Sequence, residues 1–128
     1  MRFLLDTQIL IWLDKSPEKL SLRALEILRD KDMVLLLSYV SIWEMQIKRD
    51  IGKLSLSGSI AEVIEKQQRQ YRLYTFPIEI DAIYALATLP DHHRDPFDRL
   101  LVAQAVSENL PIVTSDPLIA RYPILTVW

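Results

Sequence analysis

No cysteine occurs among the 128 residues, which excludes a disulfide framework, a zinc–thiolate centre and a thiol nucleophile. The same absence favours the cytoplasm. No apolar run approaches the roughly 20 residues that a membrane span needs. The opening Met1-Arg2-Phe3-Leu4-Leu5-Asp6 meets a carboxylate too early for a signal peptide. The expectation is a soluble chain with no membrane partner. There is no internal repeat or low-complexity tract, and the longest polar stretch, Glu65 to Arg72, lacks linker composition. Half of the residues are hydrophobic, so residues 1–128 are expected to form one compact domain with a core of its own. A surplus of positive charge is missing too: 15 Lys and Arg face 17 Asp and Glu, for a net charge of −2. A simple nucleic-acid binder usually carries excess Lys and Arg. That objection weakens if the acids gather around a metal ion, which neutralises them locally.

What is present is an alternation of strand-like and helix-like segments. Arg2 to Leu5 reads as a buried strand ending at Asp6. Thr7 can then cap a helix through Leu13, and Leu22 to Arg29 repeats apolar residues at helical spacing after Ser21. Met33 to Ser38 is continuously apolar, as in a strand covered on both faces. Ser41-Ile42-Trp43-Glu44 matches a capping box that opens a helix to about Asp50, with Gly52 at its exit. A helix over Ser59 to Gln70, a strand over Leu73 to Phe76 and a helix over Ile80 to Leu89 follow. Asp95-Pro96 starts a helix to about Glu108, with proline at its favoured first position. Pro111 to Thr114 is a strand, Asp116-Pro117 starts a short helix to Arg121, and Ile124 to Val127 is an edge strand. Alternation of this kind implies an α/β fold, a mainly parallel sheet of four to five strands with helices on both faces. Ligands of such sheets collect beyond the carboxyl ends of the strands.

Four carboxylates stand in apolar neighbourhoods at that edge. Asp6 follows Phe3-Leu4-Leu5, Glu44 lies between Trp43 and Met45, Asp98 precedes Leu100-Leu101, and Asp116 follows Ile112-Val113-Thr114-Ser115. Singly, each has an ordinary role at a helix start or turn: Glu44 and Asp98 as capping-box partners of Ser41 and Asp95, Asp116 as an N-cap. Together they would repel one another unless a divalent cation reconciles them. Oxygen-only ligands select hard ions such as Mg2+ or Mn2+.

The chain resembles the PIN-domain ribonucleases, especially the toxins of VapBC-type toxin–antitoxin pairs. The resemblance rests on Leu4-Leu5-Asp6-Thr7, on Ser38 to Glu44 with Lys48 and Gly52-Lys53-Leu54, on Leu89-Pro90, on the long string His93 to Ala105, and on Thr114-Ser115-Asp116. It implies a PIN-like three-layer α/β/α domain and a Mg2+- or Mn2+-dependent endoribonuclease. Its acidic residues match Asp6, Glu44, Asp98 and Asp116, with Asp95 an additional acid ranked below Asp98. It also implies a homodimer and an antitoxin that reaches into the acidic pocket.

On that basis Asp6, Asp98 and Asp116 are expected to hold the ion, with Glu44 completing the pocket. Thr7 and Thr114 are candidates to hold the carboxylates through hydroxyl hydrogen bonds, or simply to form caps and turns. Arg94, Arg99, Lys48, Arg49 and His93 are candidates for contact with RNA phosphates. Arg99 beside Asp98 and Lys48 one turn after Glu44 can equally form structural ion pairs. The adjacent His92 and His93 read as solvent-exposed loop residues, not a transition-metal site. Trp12, Tyr39, Trp43 and Tyr84 fit core packing or a dimer surface better than base stacking. Two other functions compete: a small-molecule phosphohydrolase with Asp6 as nucleophile, disfavoured because Gln8 stands where a second aspartate is needed, and a non-catalytic binding module.

Overall fold

A computed structural model describes residues 1–128. Five strands, β1 (Arg2–Leu5), β2 (Val34–Ser38), β3 (Leu73–Phe76), β4 (Ile112–Val113) and β5 (Thr126–Val127), form one sheet in the order β3-β2-β1-β4-β5. Every neighbouring pair is parallel. Parallel neighbours require crossovers, and helices supply most of them. Helices α1 (Thr7–Lys15) and α2 (Leu22–Arg29) link β1 to β2, and α3 (Tyr39–Asp50) and α4 (Ile60–Gln70) link β2 to β3. Helices α5 (Ile80–Ala85) and α6 (Pro96–Glu108) return the chain across the sheet to β4.

Side chains alternate across the pleat, so each central strand feeds two cores. Phe3, Leu5, Leu35, Leu37 and Val113 pack on one face with residues of α1, α2, α3 and α4. Leu4, Leu36 and Ile112 pack on the other with Leu101, Val102 and Ala105 of α6 and with Ile119. The result is the expected three-layer α/β/α arrangement, and it explains why β1 and β2 read as unbroken apolar runs. Each fully buried leucine of this kind contributes about 1.5–3 kcal/mol.

The strand order creates the place where a site can form. From β1 the chain winds outward through β2 to β3, then crosses back to β4 on the other side of β1. Connections leave β1 and β4 in opposite directions, which opens a crevice at their carboxyl ends. Asp6 follows β1 directly, and Thr114 to Asp116 follow β4.

Three local expectations need correction. Helix α3 starts at Tyr39, two residues before Ser41: the Ser38 hydroxyl caps it by accepting from the Val40 N–H, while the same hydroxyl donates to Gln104 of α6. Glu44 therefore sits in the second turn, not in a capping box. Asp116-Pro117 starts no α-helix; only a three-residue 3-10 turn, Ile119–Arg121, forms there. The helix expected over Ile80 to Leu89 is α-helical only to Ala85 and tightens to a 3-10 turn at Leu86–Thr88. Core packing is also wrong for three aromatics: Tyr39, Trp43 and Tyr84 are 48%, 55% and 66% exposed.

Candidate active site

The four acids expected to meet do meet. Asp6, Glu44, Asp98 and Asp116, joined by Asp95 and Lys48, line one cleft of about 290 Å³ at the carboxyl edge of the sheet. A larger hollow of about 420 Å³ lies among Arg29, Lys31, Arg69 and Arg72, away from the acids. The smaller cleft is the one with the chemistry.

Each wall of the cleft is set by local structure. The extended Asp6 precedes α1, and its Oδ2 accepts a 2.7 Å hydrogen bond from the Thr114 hydroxyl. Thr114 in turn accepts from the Asp116 N–H at 3.0 Å, so one threonine ties the ends of β1 and β4 together. Asp116 uses Oδ1 to accept from the Leu118 N–H, which fixes the turn after β4. Thr7 does not cap α1 with its side chain; it is the first helical residue. Its Oγ1 stands 2.8 Å from both Glu44 Oε1 and Ser41 Oγ. With one proton to give, the hydroxyl donates to the carboxylate and accepts from Ser41. Glu44 Oε2 accepts from Lys48 Nζ at 2.6 Å, the i,i+4 pair expected from the spacing.

Asp95 is the N-cap of α6, accepting from the Phe97 and Asp98 N–H groups. The capping box is only half formed, because the Asp98 carboxylate turns away toward His93. His93 is the principal surprise. Its ring is largely buried, with Nε2 2.9 Å from Asp116 Oδ2 and 3.0 Å from Asp98 Oδ2. Nδ1 accepts from the Asp95 N–H at 3.1 Å, so the neutral ring carries its proton on Nε2 and points it at the two aspartates. The reading of His93 as an exposed loop residue is thus overturned. The ring, Asp98 and Asp116 form a triad whose donor atoms lie within 4.8 Å of one another. The tautomer nevertheless argues against His93 as a ligand, since the atom facing the aspartates is protonated.

The other basic candidates divide. Arg94 is exposed and Arg49 donates to the Gly58 carbonyl. Arg99 turns away from Asp98 and donates to the Pro90 carbonyl and to the Tyr122 hydroxyl. A structural pair with Asp98 is therefore not formed, because Arg99 serves the loop before α6. Tyr122, almost fully buried, also accepts from the His93 N–H at 2.9 Å and so holds the loop that delivers His93. Nothing in the sequence marks Tyr122 for this role. His93 had a signal: it lies two residues before an N-cap, so the loop that places Asp95 must bring His93 to the same edge.

Crowding shows in the ionisation of the acids. Burial, reinforced by Asp6, Asp95 and Glu44, pushes the Asp98 carboxyl up to about 7, against the pull of His93. Burial likewise raises Asp6, opposed by the Thr114 hydrogen bond and aided by Glu44 and Asp116. Burial alone would push the Lys48 ammonium down, but its hydrogen bond to Glu44 and the charges of Asp95 and Asp98 raise it overall. Asp6 and Asp98, raised first by burial and then by neighbouring acids, fit a hard divalent cation, which would offset both costs.

A parallel three-layer sheet with an acidic cleft at its switch point defines a compact class of α/β domain. The sequence matches the PIN domain over residues 3–125, and the chain belongs to that family. Among curated proteins, none matches the sequence. Solved structures share the fold at low identity. The VapBC2 structure from Rickettsia felis, bound to a promoter DNA fragment, contains a chain with a TM-score of 0.69 and 18% identity, covering 99% of this chain and 98% of that one. FitAcB from Neisseria gonorrhoeae gives 0.60 and 17%, covering 100% and 97%. VapBC-5 from Mycobacterium tuberculosis gives 0.56 and 17%, covering 98% and 95%. No helix is long and apolar enough to cross a membrane.

Proposed function

We propose that this chain is a Mg2+- or Mn2+-dependent endoribonuclease and the toxin of a toxin–antitoxin pair. One observation carries the chemistry: Asp6, Glu44, Asp98 and Asp116, from four separate segments, line a single cleft, in which burial and neighbouring acids raise the carboxyls of Asp6 and Asp98. Asp6, Asp98 and Asp116 would hold the ion. Bound there, a divalent cation supplies charge to a phosphate oxygen and acidifies a water for attack on phosphorus. The chain's own groups do the positioning. Thr114 orients Asp6, and Thr7 and Lys48 fix both oxygens of Glu44 in the cleft wall. His93 holds Asp98 and Asp116 through its Nε2 proton. Exposed Arg94 is the basic side chain that would meet RNA phosphates.

The family and the toxin–antitoxin complexes that share the fold support an antitoxin partner. A homodimer fits the exposed apolar side chains Tyr39 and Trp43 of α3 and Ile80, Ile83 and Tyr84 of α5, two helices that both pack on α6. The test is cleavage of labelled single-stranded RNA with Mg2+ or Mn2+. Cutting should stop with EDTA and in the Asp98→Asn protein. Cleavage that persists in EDTA, or equally in Asp98→Asn, would remove the basis for the reading.

A further inference from the structure

We propose that Lys48 is the second cation of the cleft: it neutralises Glu44 permanently and restricts the site to one divalent ion. The inference rests on the metal-binding reading above and concerns how many ions that reading admits.

The geometry is unlike an ordinary surface pair. Arg23 and Glu26, also on one helix, stand 3.5 Å apart with both side chains well exposed. Lys48 and Glu44 are 2.6 Å apart, and the Glu44 side chain is only 5% exposed. The glutamate reaches into the cleft, and the ammonium follows it there. Thr7 occupies one Glu44 oxygen and Lys48 the other. An ion bonded to Glu44 Oε2 at about 2.1 Å would then stand at most about 5 Å from the Lys48 nitrogen. Like charges at that distance in a partly buried cleft repel strongly. Glu44 and Lys48 cancel, which leaves Asp6, Asp98 and Asp116 of the cleft lining to take one doubly charged ion. Sites that use two ions place them about 3.5–4 Å apart to clamp a phosphodiester. Here a side chain supplies the positive charge next to Glu44. Lys48 is a positioning residue in this account, acting through Glu44.

Manganese titration of the full chain tests it, read by calorimetry and by electron paramagnetic resonance. Wild type should bind one Mn2+ per chain, and Lys48→Arg, which keeps the charge, should also bind one. Lys48→Met should bind two and show the spectral signature of a coupled Mn2+ pair. Circular dichroism checks that the variants fold, and Lys48→Gln serves in place of Lys48→Met if that protein does not. Two ions in wild type, or one in both neutral variants, would overturn the proposal. No manganese bound to wild type would instead overturn the metal-binding reading on which it rests.

Discussion

In the cleft, Asp98 sits one turn into α6 with its carboxyl pushed up to about 7, above the ordinary value of 3.8. Its proton is therefore bound more tightly in the folded than in the unfolded chain. The stability it contributes is fully present below the unfolded value near 4 and is lost as pH rises through about 7. Without metal, the protein should lose roughly 2–4 kcal/mol over that window from this group. Asp98→Asn should melt several degrees higher than wild type at pH 8 and at the same temperature at pH 4, as followed by circular dichroism. A wild-type melting temperature that does not fall between pH 4 and 8 would contradict the assignment. Manganese must displace the Asp98 proton, so its affinity should rise about tenfold per pH unit below 7 and level off above. Calorimetry in non-coordinating buffers reads that slope directly. At this scale the four acids were legible because each stood out against an apolar neighbourhood. Thr7 and Thr114 were legible as candidates because each flanks one of those acids or strands. His93 was misread, because its burial depends on Tyr122 and Asp116, which lie 29 and 23 residues further along the chain.

Element boundaries were readable where caps and periodicity agreed. Strand β3 and helices α2 and α6 fall where patterning puts them, and α4 begins after Ser59 in a complete capping box with Glu62. The start of α3 was misplaced because Ser38, Ser41 and Glu44 offer two competing cap patterns. Tertiary contacts decide between them: Ser38 is pinned to Gln104, and Ser41 is wanted by Thr7. Helix α3 ends at Asp50 and exits through Gly52 as expected; the φ of 75° at Gly52 turns the chain so that the Lys53 N–H reaches the Lys48 carbonyl. A methyl group there would meet nothing within 4 Å, so Gly52→Ala tests backbone conformation alone. Urea unfolding should show a loss of about 1 kcal/mol. Ser59→Ala should cost a similar amount by removing the α4 cap. If both variants unfold at the wild-type midpoint, the cap geometry is not what holds these helix ends.

For the molecule as a whole, the α/β class and the parallel sheet were legible from the alternation of segments, but the strand order was not. Nothing local tells the chain to cross back over β1, because that choice is made by two cores on opposite faces of the same strands. For the aromatics of α3 the apolar pattern left core packing and a dimer surface both open, and only the fold shows Trp43 55% exposed with its ring edge-on to Phe97. Trp43→Glu should convert the proposed homodimer to a monomer in light scattering while leaving the circular dichroism spectrum unchanged. A dimer that survives both Trp43→Glu and Tyr84→Glu would place the interface elsewhere.

Thr114 and Asp116 close the cleft only after β4 has docked beside β1, more than a hundred residues downstream of Asp6. A ribosome making this protein thus carries a growing polypeptide that has three of its four acids but no finished blade. On the proposed function, the messenger being translated is safe from its own product until the segment through Asp116 has left the ribosome and docked.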